Sequence, residues 1–183
     1  MVCLAPRDPG ESVGPRRLSN VVVRPLNFTV RWHVGDLTGF ERRVLDAFLL
    51  GSEPQLEILR AQAAVATVSS REHTGVGAYI NFQTPESAPA VSPPRIILRD
   101  VNIQVADVPH GVATLLFITS GRLDFLEFAT YTGSWPKDPQ LLQLGYYRFE
   151  PSEPKGCTLV PVDQRDPVTV ARALAGANAS HAT

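Results

Sequence analysis

The chain reads as an α+β domain, with two N-terminal helices packed on a mainly antiparallel sheet of about five strands. Three observations predict this. Between Arg95 and Tyr131, three strand-like runs follow one another, joined by Asp107-Val108-Pro109-His110-Gly111 and then by Ser120-Gly121. Upstream, two consecutive stretches carry apolar residues at helical spacing, each behind a capping pattern. On either side of these features, shorter runs alternate apolar and polar residues with the period of a half-buried strand.

Residues 1–25 hold Pro6, Pro9, Gly10, Gly14, Pro15 and Pro25 without periodicity, and are expected to form a disordered extension. Leu26 to Trp32 alternates once and suits an edge strand. Thr38-Gly39-Phe40-Glu41 matches a capping box, with a helix of about three turns behind it. Phe40, Val44, Ala47 and Phe48 form its apolar stripe, and Gly51 suits its left-handed end. Ser52-Glu53-Pro54-Gln55 repeats the capping logic ahead of Leu56, Leu59 and Ala63. These two helices should cover one face of the sheet.

Val65 to Ser69 and Ala78 to Gln83 read as strands, with a connection that includes Gly75-Val76-Gly77. The loop holding Pro85, Pro89, Pro93 and Pro94 belongs on the surface, because proline donates nothing to a ladder. Val101, Ile103 and Val105 alternate with Asn102 and Gln104. A two-residue Ser120-Gly121 turn predicts that Ile118 pairs with Leu123, Leu116 with Phe125 and Thr114 with Glu127. Both faces of that hairpin are mainly apolar, so it is central or one face meets a partner. Leu144 to Phe149 is the last expected strand. The single domain is therefore expected over residues 26–150, followed by a Pro-rich segment and flexible tail over 151–183, in which Val168 to Ala175 has the residues for a short helix.

A chain of 183 residues suits one domain with tails and is long enough for a real core. Its net charge of −1 offers no excess of positive charge to phosphate backbones, so nucleic acid is disfavoured as a partner. No apolar run approaches the roughly 20 residues of a membrane helix, and the first residues lack the pattern of a signal peptide. Cys3 and Cys157 are expected to be reduced thiols and the location cytoplasmic.

No segment carries a nucleophile elbow, a phosphate loop or a paired metal motif, so neither a cofactor nor a metal is expected. Gly75-Val76-Gly77 fails as a dinucleotide fingerprint, since Ile80 stands at the third glycine position and a strand follows. His33, His73, His110 and His181 lack zinc spacing. Glu127, placed among apolar neighbours, needs a donor such as an arginine, a tyrosine or a backbone amide. Its catalytic alternative is an acid or base of a small hydrolase, working with His73 or His110 from loops at a sheet end. Tyr131, Trp135, Tyr146 and Tyr147 flank one loop and suit interface anchors, because such side chains bury large areas at low entropic cost. Against this, Trp135 could fold back and plug the sheet end.

Gly75-Val76-Gly77 opening a strand, Leu115-Leu116-Phe117-Ile118 before Gly121, Leu126-Glu127-Phe128-Ala129-Thr130-Tyr131 and Trp135-Pro136 together resemble a group of small bacterial proteins with a Leu-Glu-x-x-Thr-Tyr and Trp-Pro hairpin. The resemblance covers roughly residues 37 to 136. It implies a compact bacterial domain and carries no established activity. The function expected from the sequence is binding of a protein partner, or of a second copy, by a regulatory or immunity-type module. The alternative is the small hydrolase.

Overall fold

The computed structural model describes residues 37–152 and 156–176, so the expected strand over 26–32, the N-terminal extension, Cys3, His33 and His181 lie outside the described residues. Among the described residues the elements run α1 (Gly39–Phe48), α2 (Pro54–Ala63), β1 (Thr67–His73), β2 (Gly77–Gln83), β3 (Ile96–Leu98), β4 (Val101–Val105), β5 (Val112–Thr119), β6 (Arg122–Thr130), β7 (Leu141–Ser152), β8 (Gly156–Val162) and α3 (Pro167–Leu174). Two helices and about five strands are therefore corrected to three helices and an eight-stranded antiparallel sheet.

Strand order is β1-β2-β6-β5-β4-β7-β8, while β3 pairs with β5 beyond the end of β4. The additional strands have physical reasons for escaping a pattern search. β3 has only three residues, too few to show a period. β8 contains Pro161, which faces Tyr147 in the ladder; β8 is an edge strand, where a missing amide donor is tolerated. The expected domain end at residue 150 falls inside β7, and α3 beyond it buries Val170, Ala173 and Leu174 in the common core.

Local signals set the helices. Thr38 Oγ1 accepts from the Glu41 amide at 3.2 Å and Glu41 Oε2 accepts from the Thr38 amide at 2.8 Å, closing the capping box. The cap of α2 differs from expectation: Glu53 holds that position without a side-chain bond, and Pro54 opens the helix. Phe48, Leu56 and Leu59 are fully buried, as are Leu116, Leu126 and Ile103 on the facing sheet. Each buried side chain of this size contributes about 1.5–3 kcal/mol relative to exposure.

The hairpin of β5 and β6 departs from its expected register. Ser120 and Gly121 both have positive φ, as a two-residue hairpin turn demands, and Ile118 faces Leu123 as predicted. A bulge then shifts the ladder, so Phe117 faces Phe125, Leu116 faces Leu126, Leu115 faces Glu127 and Thr114 faces Phe128. One extra residue exchanges the faces of everything beyond it. Leu116, Leu126 and Phe128 consequently look toward the helices, while Leu115, Phe117, Phe125 and Glu127 look away.

Two buried polar clamps join distant segments. Gln62 donates to the carbonyls of Pro89 and Gly121, at 2.7 and 2.8 Å, and accepts from the Leu123 amide at 2.9 Å. It thereby ties α2 to the tip of the central hairpin. Arg165 holds Asp100 through two hydrogen bonds, at 2.6 and 3.0 Å, and donates to the carbonyls of Phe48 and Leu50 at the end of α1. Both charged side chains are nearly fully buried, and the segment between β8 and α3 is thereby fastened to the end of α1 and to the connection between β3 and β4.

Candidate functional site

The expected catalytic groups do not converge. His73 ends β1 and faces Ala78, on the helix side of the sheet. Glu127 lies on the other side, opposite Leu115 and Tyr79. The sheet itself separates them. His110 lies in the connection between β4 and β5, beside a cavity that Tyr147 lines and Glu127 does not. Among the described residues, no group of three or more His, Cys, Asp or Glu side chains is placed to hold a metal ion.

Glu127 finds its donor in Tyr79, whose hydroxyl lies 3.2 Å from Oε1. The Glu127 charge, then burial, the hydrogen bond itself and the Glu72 charge all push the Tyr79 hydroxyl above its ordinary range. Tyr79 also meets Phe125 edge-on at 5.8 Å, and Phe125 stacks on Phe117 at 4.2 Å. Ile97 pairs with Phe117 and Leu115 pairs with Glu127. The result is one continuous apolar and aromatic strip on the face away from the helices. None of Tyr79, Ile97, Leu115, Phe117 and Phe125 joins the helix-side core, and each is half-buried.

The four expected anchors divide between the two sides. Trp135 is buried, stacked on Phe128 at 5.2 Å and edge-on to Phe40 at 6.0 Å, so it plugs the sheet end. Tyr146 is buried too, with its hydroxyl 3.5 Å from the Ala47 carbonyl. Tyr131 is 43% exposed and Tyr147 half-buried. Burial raises both hydroxyl pKa values, and Tyr131 adds to the rise at Tyr147. These two tyrosines extend the aromatic strip past Ala129 and Ala113.

On the helix side, a cleft of about 510 Å³ opens between the first turn of α1, the ends of β1, β2 and β6, and residues 135–141. Phe40, Phe128 and Trp135 form its floor, and Gly77 lets β2 close tightly there, since a Cβ would lie 2.0 Å from the Phe128 carbonyl oxygen. Arg71 binds both oxygens of Glu41 at 2.8 Å. Burial works against the Glu41 carboxylate, yet the Arg71 and Thr38 hydrogen bonds and the Arg71 charge outweigh it and hold its carboxyl below the usual range. Sequence reasoning missed this cleft, whose walls come from segments far apart in the chain.

Cys157 is disulfide-bonded, which corrects the expectation of a reduced thiol there. No helix among the described residues is long and apolar enough to cross a membrane. No family model matches the chain, and no curated protein and no solved structure matches it.

Proposed function

We propose that the protein is a binding module that engages another protein chain through the face of the sheet opposite the helices. The observation that supports this reading is the strip of Tyr79, Phe125, Phe117, Leu115 and Ile97, which no described helix covers. Aromatic clusters held rigid by a sheet suit an interface core, because little side-chain freedom is lost on binding. Glu72 and Glu127 stand on either side of Tyr79, and Asn81 donates to Glu72 at 3.0 Å. The partner that fits is an apolar surface with a lysine or arginine set against these carboxylates. A second copy would bring the same two carboxylates to the contact, which favours a different chain over self-association.

The hydrolase reading has less support, since the sheet lies between Glu127 and His73. The resemblance to the bacterial Leu-Glu-x-x-Thr-Tyr group adds a bacterial source to the proposal. The cytoplasmic expectation rests on the lack of a signal-peptide pattern and of a membrane-length apolar run, and the disulfide at Cys157 favours an oxidising compartment instead.

A photo-crosslinking amino acid at position 117, introduced in the source cell, tests the interface. The expected product is one discrete protein. Once purified, that protein should bind the full chain, with affinity reduced at least about 30-fold by Phe117→Ser together with Phe125→Ser. Unchanged affinity, or crosslinks confined to the chain's own residues, would overturn the proposal.

A further inference from the structure

We infer that the cleft on the helix side is a second binding site, one that takes a carboxylate carried on a flat apolar group. It goes beyond the proposed interface and lies across the sheet from it. Three features define the ligand.

The floor is apolar, built from Phe40, Phe128 and Trp135 with Ile80 beside them, and a volume of about 510 Å³ suits a group of one or two rings. The charges set the sign. Arg43, Arg71 and Lys137 line the cleft against Glu41 and Asp138, with His73 on the same wall. Arg71 holds Glu41 through two hydrogen bonds, so the charges of these two side chains offset each other along one wall. Among the described residues, Arg43 and Lys137 then stand against Asp138, leaving one positive charge over. One negative charge on the ligand balances it, whereas a phosphate dianion would place surplus charge beside Glu41 and Asp138.

The third feature is access. Arg43, His73, Lys137 and Asp138 are exposed at the rim while Phe128 and Trp135 are buried beneath, so the apolar part of the ligand enters first and its carboxylate stays at the mouth. Gly39 also lines the cleft, and a Cβ built there would meet none of the described residues within 4 Å. The same chemistry comes from two sources: a free aryl carboxylate, or the C-terminal aromatic residue of a peptide.

Amide chemical shifts of the full chain, titrated with indole-3-acetate, indole-3-acetamide and the peptide acetyl-Gly-Gly-Phe with a free carboxyl, test the site. The acid should give saturable shifts at Gly39, His73 and Lys137, and the amide should bind at least about tenfold more weakly, as loss of a charge-assisted contact requires. R43Q with K137Q should weaken the acid by a similar factor; both side chains are exposed, so the fold should survive. A tenfold preference for the peptide over the indole acid identifies a chain terminus as the source, and the reverse identifies a small molecule. Equal binding of acid and amide, unchanged affinity in the double variant, or shifts that do not saturate would overturn the inference. None of these outcomes depends on the opposite face.

Discussion

Leu116 and Leu115 are neighbours on β5 and have different surroundings. Leu116 is fully buried and pairs with Leu126 under the helices, whereas Leu115 is half-buried and pairs with Glu127 on the other face. The same contrast runs along β6 between Phe128, beneath Phe40 and Trp135, and Phe125, stacked on Phe117. Both faces are apolar, yet only one supplies the interior that α1, α2 and α3 close. Apolar pattern alone therefore does not separate a surface that stabilises the fold from one available for recognition. The separation comes from which side the helices take.

The largest expected effect comes from removing part of the helix-side layer. A chain ending at Glu150 loses β8, α3 and Arg165, and with them the buried Val170, Ala173 and Leu174. It should show no cooperative unfolding transition by circular dichroism. A transition near that of the full chain would show that the layer closes without its third helix.

Arg165→Ala acts on the same layer at one point. It leaves Asp100 buried without its cation, and breaking such a pair typically costs about 3–5 kcal/mol. Urea denaturation measures this loss. A cost under about 1 kcal/mol would mean that the segment joining β8 to α3 is not held there.

The smallest effect belongs to the outer face. The hydroxyl of Tyr79 titrates above its ordinary range, first because of the Glu127 charge. In Glu127→Gln its ultraviolet titration midpoint should fall toward the ordinary tyrosine value. Because the folded pKa is the raised one, any stability from this contact is present below the unfolded pKa and is lost as pH rises through the folded value. An unchanged midpoint would separate Tyr79 from Glu127.

The parts of the fold that local chemistry determines were legible in the sequence. Thr38 and Glu41 announce the start of α1 because a capping box needs only four residues, and Ser120-Gly121 announces a tight turn through its positive φ angles. The bulge beyond that turn was not legible. Its cause is non-local: Gly121 donates to the Pro94 carbonyl at 2.7 Å and accepts from the Val91 amide at 2.9 Å, and Gln62 accepts from the Leu123 amide. Together these contacts fix the hairpin tip against the proline loop and α2. Missing the bulge exchanged the faces of Leu126, Phe128 and Glu127. Arg165 was equally silent, since Asp100 and the end of α1 lie far from it in the chain. Of the candidate site residues, aromatic composition pointed to the region but not to the side: Trp135 and Tyr146 went inward, Tyr131 and Tyr147 outward. The tyrosine donor for Glu127 was foreseen as a type of group, and Tyr79 supplies it.

The two faces are compared most directly by one pair of unfolding free energies, those of Phe128→Ala and Phe125→Ala. Phe128 is buried, and truncation of such a ring commonly costs about 3–5 kcal/mol. Phe125 is only partly buried, so it loses a smaller burial contribution, together with about 0.5–1.5 kcal/mol from its stack on Phe117 and its edge contact with Tyr79. Phe128→Ala is expected to cost more than Phe125→Ala by about 1 kcal/mol or more. Equal losses would mean that the outer strip is filled within the folded chain, and that face would then be a second core with no surface to offer a partner.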